Sequence, residues 1–356
     1  MFRFGPERAG FNHLENKINV SNVATLEQAW TGPTGNTVQS SPAVANGFAF
    51  IGSSDGKLYA FDAAGQRGCS GTPTTCAPVW IATIGSNVDS SPAVANGVVY
   101  VGSGVNVYAF DAQSGAQLWA APTGGTVFSS PAVADGVVYV GSDDFSLYAF
   151  DAAGETGCSG TPKTCAPLWT AATSGVVRST PAGGAGVVYV ADLAAPLDSR
   201  LYAFDAAGQT GCSGQPKTCA PLWTAAAGGL SSPAVAHGTV YIGSGASLYA
   251  FDAAGETLCS GNPKTCRPLW AAPTAGGVEG SPAVANGVLY AGAFDGRLYA
   301  FDAAGETGCS GSKRRRTCAP LWTSANFGFA VQSSPAIANG NLYVGIGDSL
   351  YVFGLP

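Results

Sequence analysis

The chain has 356 residues, 46% of them hydrophobic, with a formal net charge of −6. That balance speaks against a nucleic-acid surface, which needs clustered cations to displace counterions. No apolar run approaches the roughly 18 residues of a membrane span, so no membrane span is expected. The 50 Gly and 22 Pro recur at fixed places and mark turns, not low complexity.

Residues 1–22 read as an N-terminal extension. The opening MFRFGPERAG lacks the apolar core of a secretory signal, so an exported protein is expected to appear here as its mature portion with an added Met1. From there the chain repeats one unit seven times. A Ser-Ser-Pro-Ala-Val-Ala block or variant places its proline at Pro42, Pro92, Pro131, Pro181, Pro233, Pro282 and Pro335. Each block is followed by Leu-Tyr-Ala-Phe-Asp or a variant, with tyrosines at Tyr59, Tyr108, Tyr148, Tyr202, Tyr249, Tyr299 and Tyr351. All seven tryptophans fall at one repeat position.

Each unit predicts four strands. Strand A is the Ser-Pro-Ala-Val-Ala run. Pairs such as Asn46-Gly47 and Asp135-Gly136 suit a type I′ hairpin leading to strand B, because both positions tolerate positive φ. Strand C alternates as a half-buried strand should, and strand D ends each unit around the tryptophan. The expected fold is all-β: a seven-bladed β-propeller of four-stranded antiparallel blades forming a single domain over 23–356. The last unit stops after strand C, and Trp30 has no strands A to C before it. Residues 23–31 are therefore expected to supply strand D of blade seven and close the ring.

The unit S-S-P-A-V-A-N-G-V-V-Y-V-G-S…L-Y-A-F-D-A…L-W resembles the PQQ-like β-propeller repeat. That family includes quinoprotein dehydrogenases and cofactor-free propellers such as outer-membrane assembly factors. The resemblance covers 23–356 and implies the fold; repeat residues build scaffold and do not specify function. A quinoprotein dehydrogenase would imply an adjacent cysteine pair, a tryptophan floor and calcium ligands in the channel. This chain has no adjacent cysteines, its tryptophans are all repeat residues, and no Glu-Asn-Asp set stands at the channel-mouth positions. We therefore expect no cofactor and no metal, and rank a quinoprotein oxidoreductase last.

Ten cysteines form five close pairs: Cys69/Cys76, Cys158/Cys165, Cys212/Cys219, Cys259/Cys266 and Cys309/Cys318. Each lies between strands C and D. Zinc favours C-x2-C knuckles and four converging ligands, whereas these pairs sit on separate blades, so we read them as disulfides, each a local staple on an elongated hairpin. Disulfides imply a secreted, cell-surface or periplasmic location. Blade two lacks the pair and makes a short turn at Ser114-Gly115. Blade six carries Lys313-Arg314-Arg315-Arg316 in its cysteine loop, read as a solvated tip.

The A–B and C–D connections share one face of a propeller, and the B–C and D–A connections share the other. On the second face one position varies between blades on a nearly constant background: Gln39, Asp89, Phe128, Arg178, Leu230, Glu279 and Gln332. We read it as a diversified ring binding a small molecule, saccharide or protein at the channel mouth; neutral drift at an exposed strand start is the competing reading. An extracellular hydrolase or lyase acting on a saccharide or aromatic substrate, with Asp89 and Glu279 as acid and base, is the alternative. His237 reads as a turn residue, and the repeated Asp at the end of strand C as a turn cap.

Overall fold

The computed structural model describes residues 29–353 except 73, 195–197, 313–314, 339–340 and 347–348. No helix forms among them, so none is long and apolar enough to cross a membrane. The strands assemble as a seven-bladed β-propeller. Blade three is representative: strand A is Ala132–Ala134, B is Val137–Ser142, C is Ser146–Asp151 and D is Trp169–Ala172, each antiparallel to the next. The A–B turn adopts the conformation its sequence predicts, with Asp135 at φ 49° and Gly136 at 77°. His237 takes the same left-handed place at φ 48°, as expected of a turn residue.

Both faces of a blade are buried, so each sheet must lock onto its neighbours. At the perimeter the indole N–H of Trp119 and the hydroxyl of Tyr100, both in blade two, donate to the Ala152 carbonyl of blade three at 3.3 and 3.0 Å. Trp169 with Tyr139, Trp223 with Tyr189, and Trp270 with Tyr241 repeat the arrangement at Ala206, Ala253 and Ala303. Burial pushes the Tyr100 hydroxyl up to about 12, so it remains a donor well above neutral pH.

A second belt surrounds the channel. In blades one, two and four the first serine of the step ties back to its own strand B: Ser90 Oγ, for one, donates to the Gly102 carbonyl and accepts from the Gly102 N–H. The second serine links blades. Ser41 N–H donates to Ser91 Oγ, Ser91 N–H to Ser130 Oγ, Thr180 N–H to Ser232 Oγ, Ser232 N–H to Ser281 Oγ and Ser281 N–H to Ser334 Oγ, at 2.9–3.1 Å. The following proline carries no N–H, which suits the innermost edge strand. A third contact demands glycine in strand B: a Cβ on Gly52 would lie 2.5 Å from Val88 of the next inter-blade loop.

All five cysteine pairs are disulfides: Cys69–Cys76, Cys158–Cys165, Cys212–Cys219, Cys259–Cys266 and Cys309–Cys318, each crossing a two-stranded hairpin. Each is the local staple expected, and the two halves of each bridge sit in different surroundings. The first cysteine is half-buried on the hairpin, whereas the second is buried: Cys76, Cys165, Cys219, Cys266 and Cys318 are at most 4% exposed. Each buried sulfur joins the core around the tryptophan of the preceding unit. Cys165 packs with Trp119, Cys219 with Trp169, Cys266 with Trp223, Cys318 with Trp270, and Cys76 with Trp30. The bridges therefore belong to inter-blade packing as well as to loop closure.

The hairpin backbones do the same. The second arm of the blade-three hairpin, Lys163–Cys165, pairs in parallel with strand D of blade two, and four sheets are thereby extended to six strands. The blade-one arm takes Thr31 in the same way: Thr31 N–H donates to the Thr74 carbonyl and Cys76 N–H to the Thr31 carbonyl. Trp30 stands against Phe61 as Trp119 stands against Phe150. Trp30 and Thr31 thus occupy the place a preceding strand D takes elsewhere; residues 23–28 of the expected closing strand lie outside the described residues.

The repeated aspartates cap their own turns. Burial opposes the Asp151 charge, but the N–H groups of Thr156, Glu155 and Ala153 outweigh it and hold the carboxyl below its usual range. Asp205, Asp252 and Asp302 follow suit, each against burial. Asp62 is lowered by the N–H groups of Arg67 and Gln66, and Asp111 by Ser114. A depressed folded value stabilises above the unfolded value of about 3.9 and is lost as pH falls through the folded one. Urea midpoints should therefore be level from neutral pH to about pH 5 and drop below about pH 4. Asp205→Asn should begin lower at pH 7 and lose less on acidification.

Candidate functional site: the channel mouth

The varied position is displayed by its neighbours. In blade two, Val88 is fully buried on one side of Asp89 and Ser90 is buried on the other. Val127 and Ser129 flank Phe128, and Val177 and Ser179 flank Arg178, with the same burial. Alternation along an extended chain then turns the intervening side chain outward. Phe128 and Leu230 are exposed, as are Gln39, Arg178 and Gln332, while Asp89 and Glu279 are half-buried.

Three of the seven residues form a contiguous arc over blades two to four. Asp89 and Phe128 line a cavity of about 230 Å³ with Ser86, Asn87, Gly104, Thr126 and Val127. Ser54 Oγ donates to Asp89 Oδ1 at 2.9 Å. The Arg178 guanidinium lies 4.8 Å above the centre of the Phe128 ring. It also forks onto Asp143, with Nε and Nη2 at 3.0 and 2.8 Å from the two carboxylate oxygens. Those hydrogen bonds raise the guanidinium further above its ordinary value, so its charge is permanent. The arc therefore presents an anion, an aromatic surface and a paired cation in sequence.

The remaining four are distributed around the ring. Asp89 lies in the arc with Ser54 and Phe128, whereas Glu279 is half-buried at the same repeat position of blade six. The B–C loops carry a further set that sequence reasoning passed over. Tyr148 and Asp144 together receive the Gly124 N–H of the preceding loop, and Tyr202 and the buried Asp192 receive that of Ser174. Tyr59 and Asp55 do the same at Gly35. These clamps hold the D–A loops from which the varied side chains project. Asp192 is therefore an anchor at the base of the enlarged blade-four loop, whose residues 195–197 lie outside the described residues. So do Lys313 and Arg314 of the basic hairpin; Arg316 donates to the Gly305 carbonyl.

Phe145, in the B–C turn of blade three, adopts φ 67° while 49% exposed. Glycine holds that turn in blades one, two, five and six, as Gly56, Gly104, Gly245 and Gly296. A bulky side chain in the left-handed region costs about 1–2 kcal/mol. Of the other phenylalanines on this face, Phe327 packs on Tyr351 and Phe353, and Phe329 and Phe294 are exposed.

A second cavity, of about 480 Å³, opens on the opposite face where strands A of blades four to six meet. Gly183, Gly184, Val235, Ala236, His237 and Asn286 are among its walls. Its sequence signal was available: blade four reads Ala-Gly-Gly-Ala-Gly where blades one, two and six read Ala-Val-Ala-Asn-Gly, and Ala185 sits at φ 50° where asparagine is favoured.

The residues present do not fit a quinone. Every cysteine is consumed by a hairpin disulfide, five indoles are committed to inter-blade carbonyls, and no cluster of His, Cys, Asp or Glu among the described residues would hold a metal.

Ring, repeat and belts together define a propeller of the PQQ-like class. The pattern of the family described as outer membrane protein assembly factor BamB matches residues 72–157 and 215–353, and the chain belongs to that family. No curated protein matches it. Among solved structures it is similar to BamB from Moraxella catarrhalis, with TM-score 0.64 and 19% identity over 91% of this chain and 84% of that one. It is also similar to a europium-containing methanol dehydrogenase, with TM-score 0.63 and 13% identity over 97% and 81% of the two chains. Likeness at these identities is likeness of fold.

Scaffold and display positions should separate by mutation. Ser232→Ala leaves the Thr180 N–H without its acceptor and should cost about 1–3 kcal/mol in urea unfolding. Arg178→Ala breaks an exposed pair and should cost no more than about 1 kcal/mol.

Proposed function

We propose that this protein is an exported scaffold that binds a protein partner through the channel mouth on the face bearing the B–C and D–A loops. The observation that carries the reading is the arc of Asp89, Phe128 and Arg178: three chemistries at one scaffold position on successive blades, the first two lining a cavity. Gln39, Leu230, Glu279 and Gln332 extend the ring and set which partner fits. Phe145 adds support, because an exposed aromatic held at a backbone cost is otherwise unexplained. An anchor ring flanked by a charge pair is the composition expected of a contact centre. Membership of a family described as an assembly factor favours a protein partner over a saccharide. Five disulfides favour an oxidising compartment, the periplasm or beyond.

The same reading includes a closed ring. Its support is Thr31, which lies on the blade-one arm where a strand D belongs; residues 23–28 of the expected closing strand lie outside the described residues. A rigid ring holds the varied side chains at fixed separations, which a multi-point contact requires.

The test is capture from the envelope of the organism that encodes it, by cross-linking at the mouth followed by mass identification. Replacing Asp89, Phe128 and Arg178 together by Ala should abolish a partner captured by the unaltered protein and leave the melting temperature nearly unchanged. Undiminished capture by a folded triple variant would rule the face out.

A further inference from the structure

Strand D is the outermost strand of a blade, and at five places its outer edge is closed by one device. In blade two, Trp119 and Ala120 pair with Lys163 and Thr164 of the next hairpin. In blade three, Thr170 pairs with Thr218, and its N–H donates to the Lys217 carbonyl at 3.0 Å. In blade four Thr224 pairs with Thr265, and in blade five Ala271 pairs with Thr317 and donates to the Arg316 carbonyl at 3.0 Å. Thr31 meets Thr75 in the same way. The residue after each of these tryptophans thus faces a threonine on a strand running parallel to it.

Blades one and six lack it, since both sheets stop at four strands, and the longer open strand D is that of blade one. Its strand D, Trp80–Thr83, would have to be covered from blade two, which has no cysteine segment and turns at Ser114-Gly115 instead. The blade-one sheet stops at four strands, and among the described residues nothing pairs with its outer edge. Side chains are left over as well as backbone. Leu168, Leu222 and Leu269 pack with the disulfides of the following blades; Val79 stands at that position and is 39% exposed. Ile81 stands where other blades carry Thr or Ala and is 47% exposed. Val79 and Ile81 share one face of the strand. The strand reads Trp-Ile-Ala-Thr and carries none of the proline, lysine or bulge that blunts an open edge.

We propose that the outer edge of blade one, residues 79–83, is a docking edge for an extended segment of a partner protein. The segment adds as a parallel fifth strand in place of the missing arm. The five covered edges define its chemistry: a short β-strand, uncharged at the pairing position, with a β-branched residue such as threonine opposite Ile81 and an apolar neighbour over Val79. Main-chain hydrogen bonds to the Ile81 N–H and carbonyl supply affinity. Parallel addition sets this occupant apart from a second copy of the chain, because two identical edges related by a two-fold axis run antiparallel. The site lies on the perimeter, apart from the channel mouth, so it stands or falls independently of the function proposed above.

The probe is a fluorescently labelled synthetic peptide with the sequence of residues 160–168, Cys165→Ser, added to the full-length protein. Saturable binding is expected, with the Ile81 amide exchanging freely alone and becoming protected against deuterium when peptide is present. Ile81→Pro removes an outward donor and leaves the ladder to strand C intact. It should weaken binding by at least about fivefold, the loss of one net hydrogen bond. Ile81→Thr should retain it. Should the proline variant fail to fold, Ile81→Lys provides the same reading through a charge on the edge. The proposal is overturned if the peptide does not bind or if binding survives Ile81→Pro or Ile81→Lys in folded protein. It is equally overturned if the Ile81 amide is as protected as that of Thr170 without peptide, since another part of this chain or a second copy would then cover the edge.

Discussion

From blade two to blade six, each blade is latched to the next by a backbone carbonyl that two side chains share. The Ala152, Ala206, Ala253 and Ala303 carbonyls each accept a tryptophan N–H and a tyrosine hydroxyl from the blade before. A carbonyl has two lone pairs, and here both are used. The indoles of Trp119, Trp169, Trp223 and Trp270 are at most 2% exposed, so the polar bond is made inside the apolar contact that drives blade packing. Burial supplies the attraction, and the shared carbonyl sets how far one sheet slides over the next.

With the perimeter latched, the serine belt holds the inner edge. Its hydroxyls are occupied by backbone groups, which accounts for serines that a motif search would otherwise weigh as nucleophiles. The strand-C aspartates are likewise occupied by their own turns. Polar residues constant among the blades are thus structural, and chemistry free to vary is left to positions that alternation turns outward. That is why Asp89, Phe128 and Arg178 differ so much on so uniform a frame.

The disulfide hairpins join local and long-range order. Each closes a loop within one blade, and four of them lend an arm to the strand D of the blade before, so those blades have no open outer edge. The buried sulfurs of Cys165, Cys219, Cys266 and Cys318 seal the same seam from the side-chain direction. Where blade two omits its hairpin, the consequence falls on blade one. Blade six ends in the same condition, with Leu321 and Trp322 exposed at 47% and 40%.

The repeat, the four strands per unit, the I′ turns and the five cysteine pairs were legible in the sequence, because alternation and turn chemistry are local and the repeats gave each pattern several readings. The one position that varies on a nearly constant background was legible too, because internal copies can be compared directly. The fork from Arg178 to Asp143 was not legible: the two are 35 residues apart, and nothing in either segment marks the other. Nor was the parallel pairing of Thr164 with Ala120, or the burial of Cys219 against Trp169, which join different blades and have no periodic signature. The sequence by itself determined what each blade is. Tertiary structure decided which side chains meet across blades and which edge is left without a neighbour, because those depend on the rotation between sheets, set by packing and by shared carbonyls far apart in the chain.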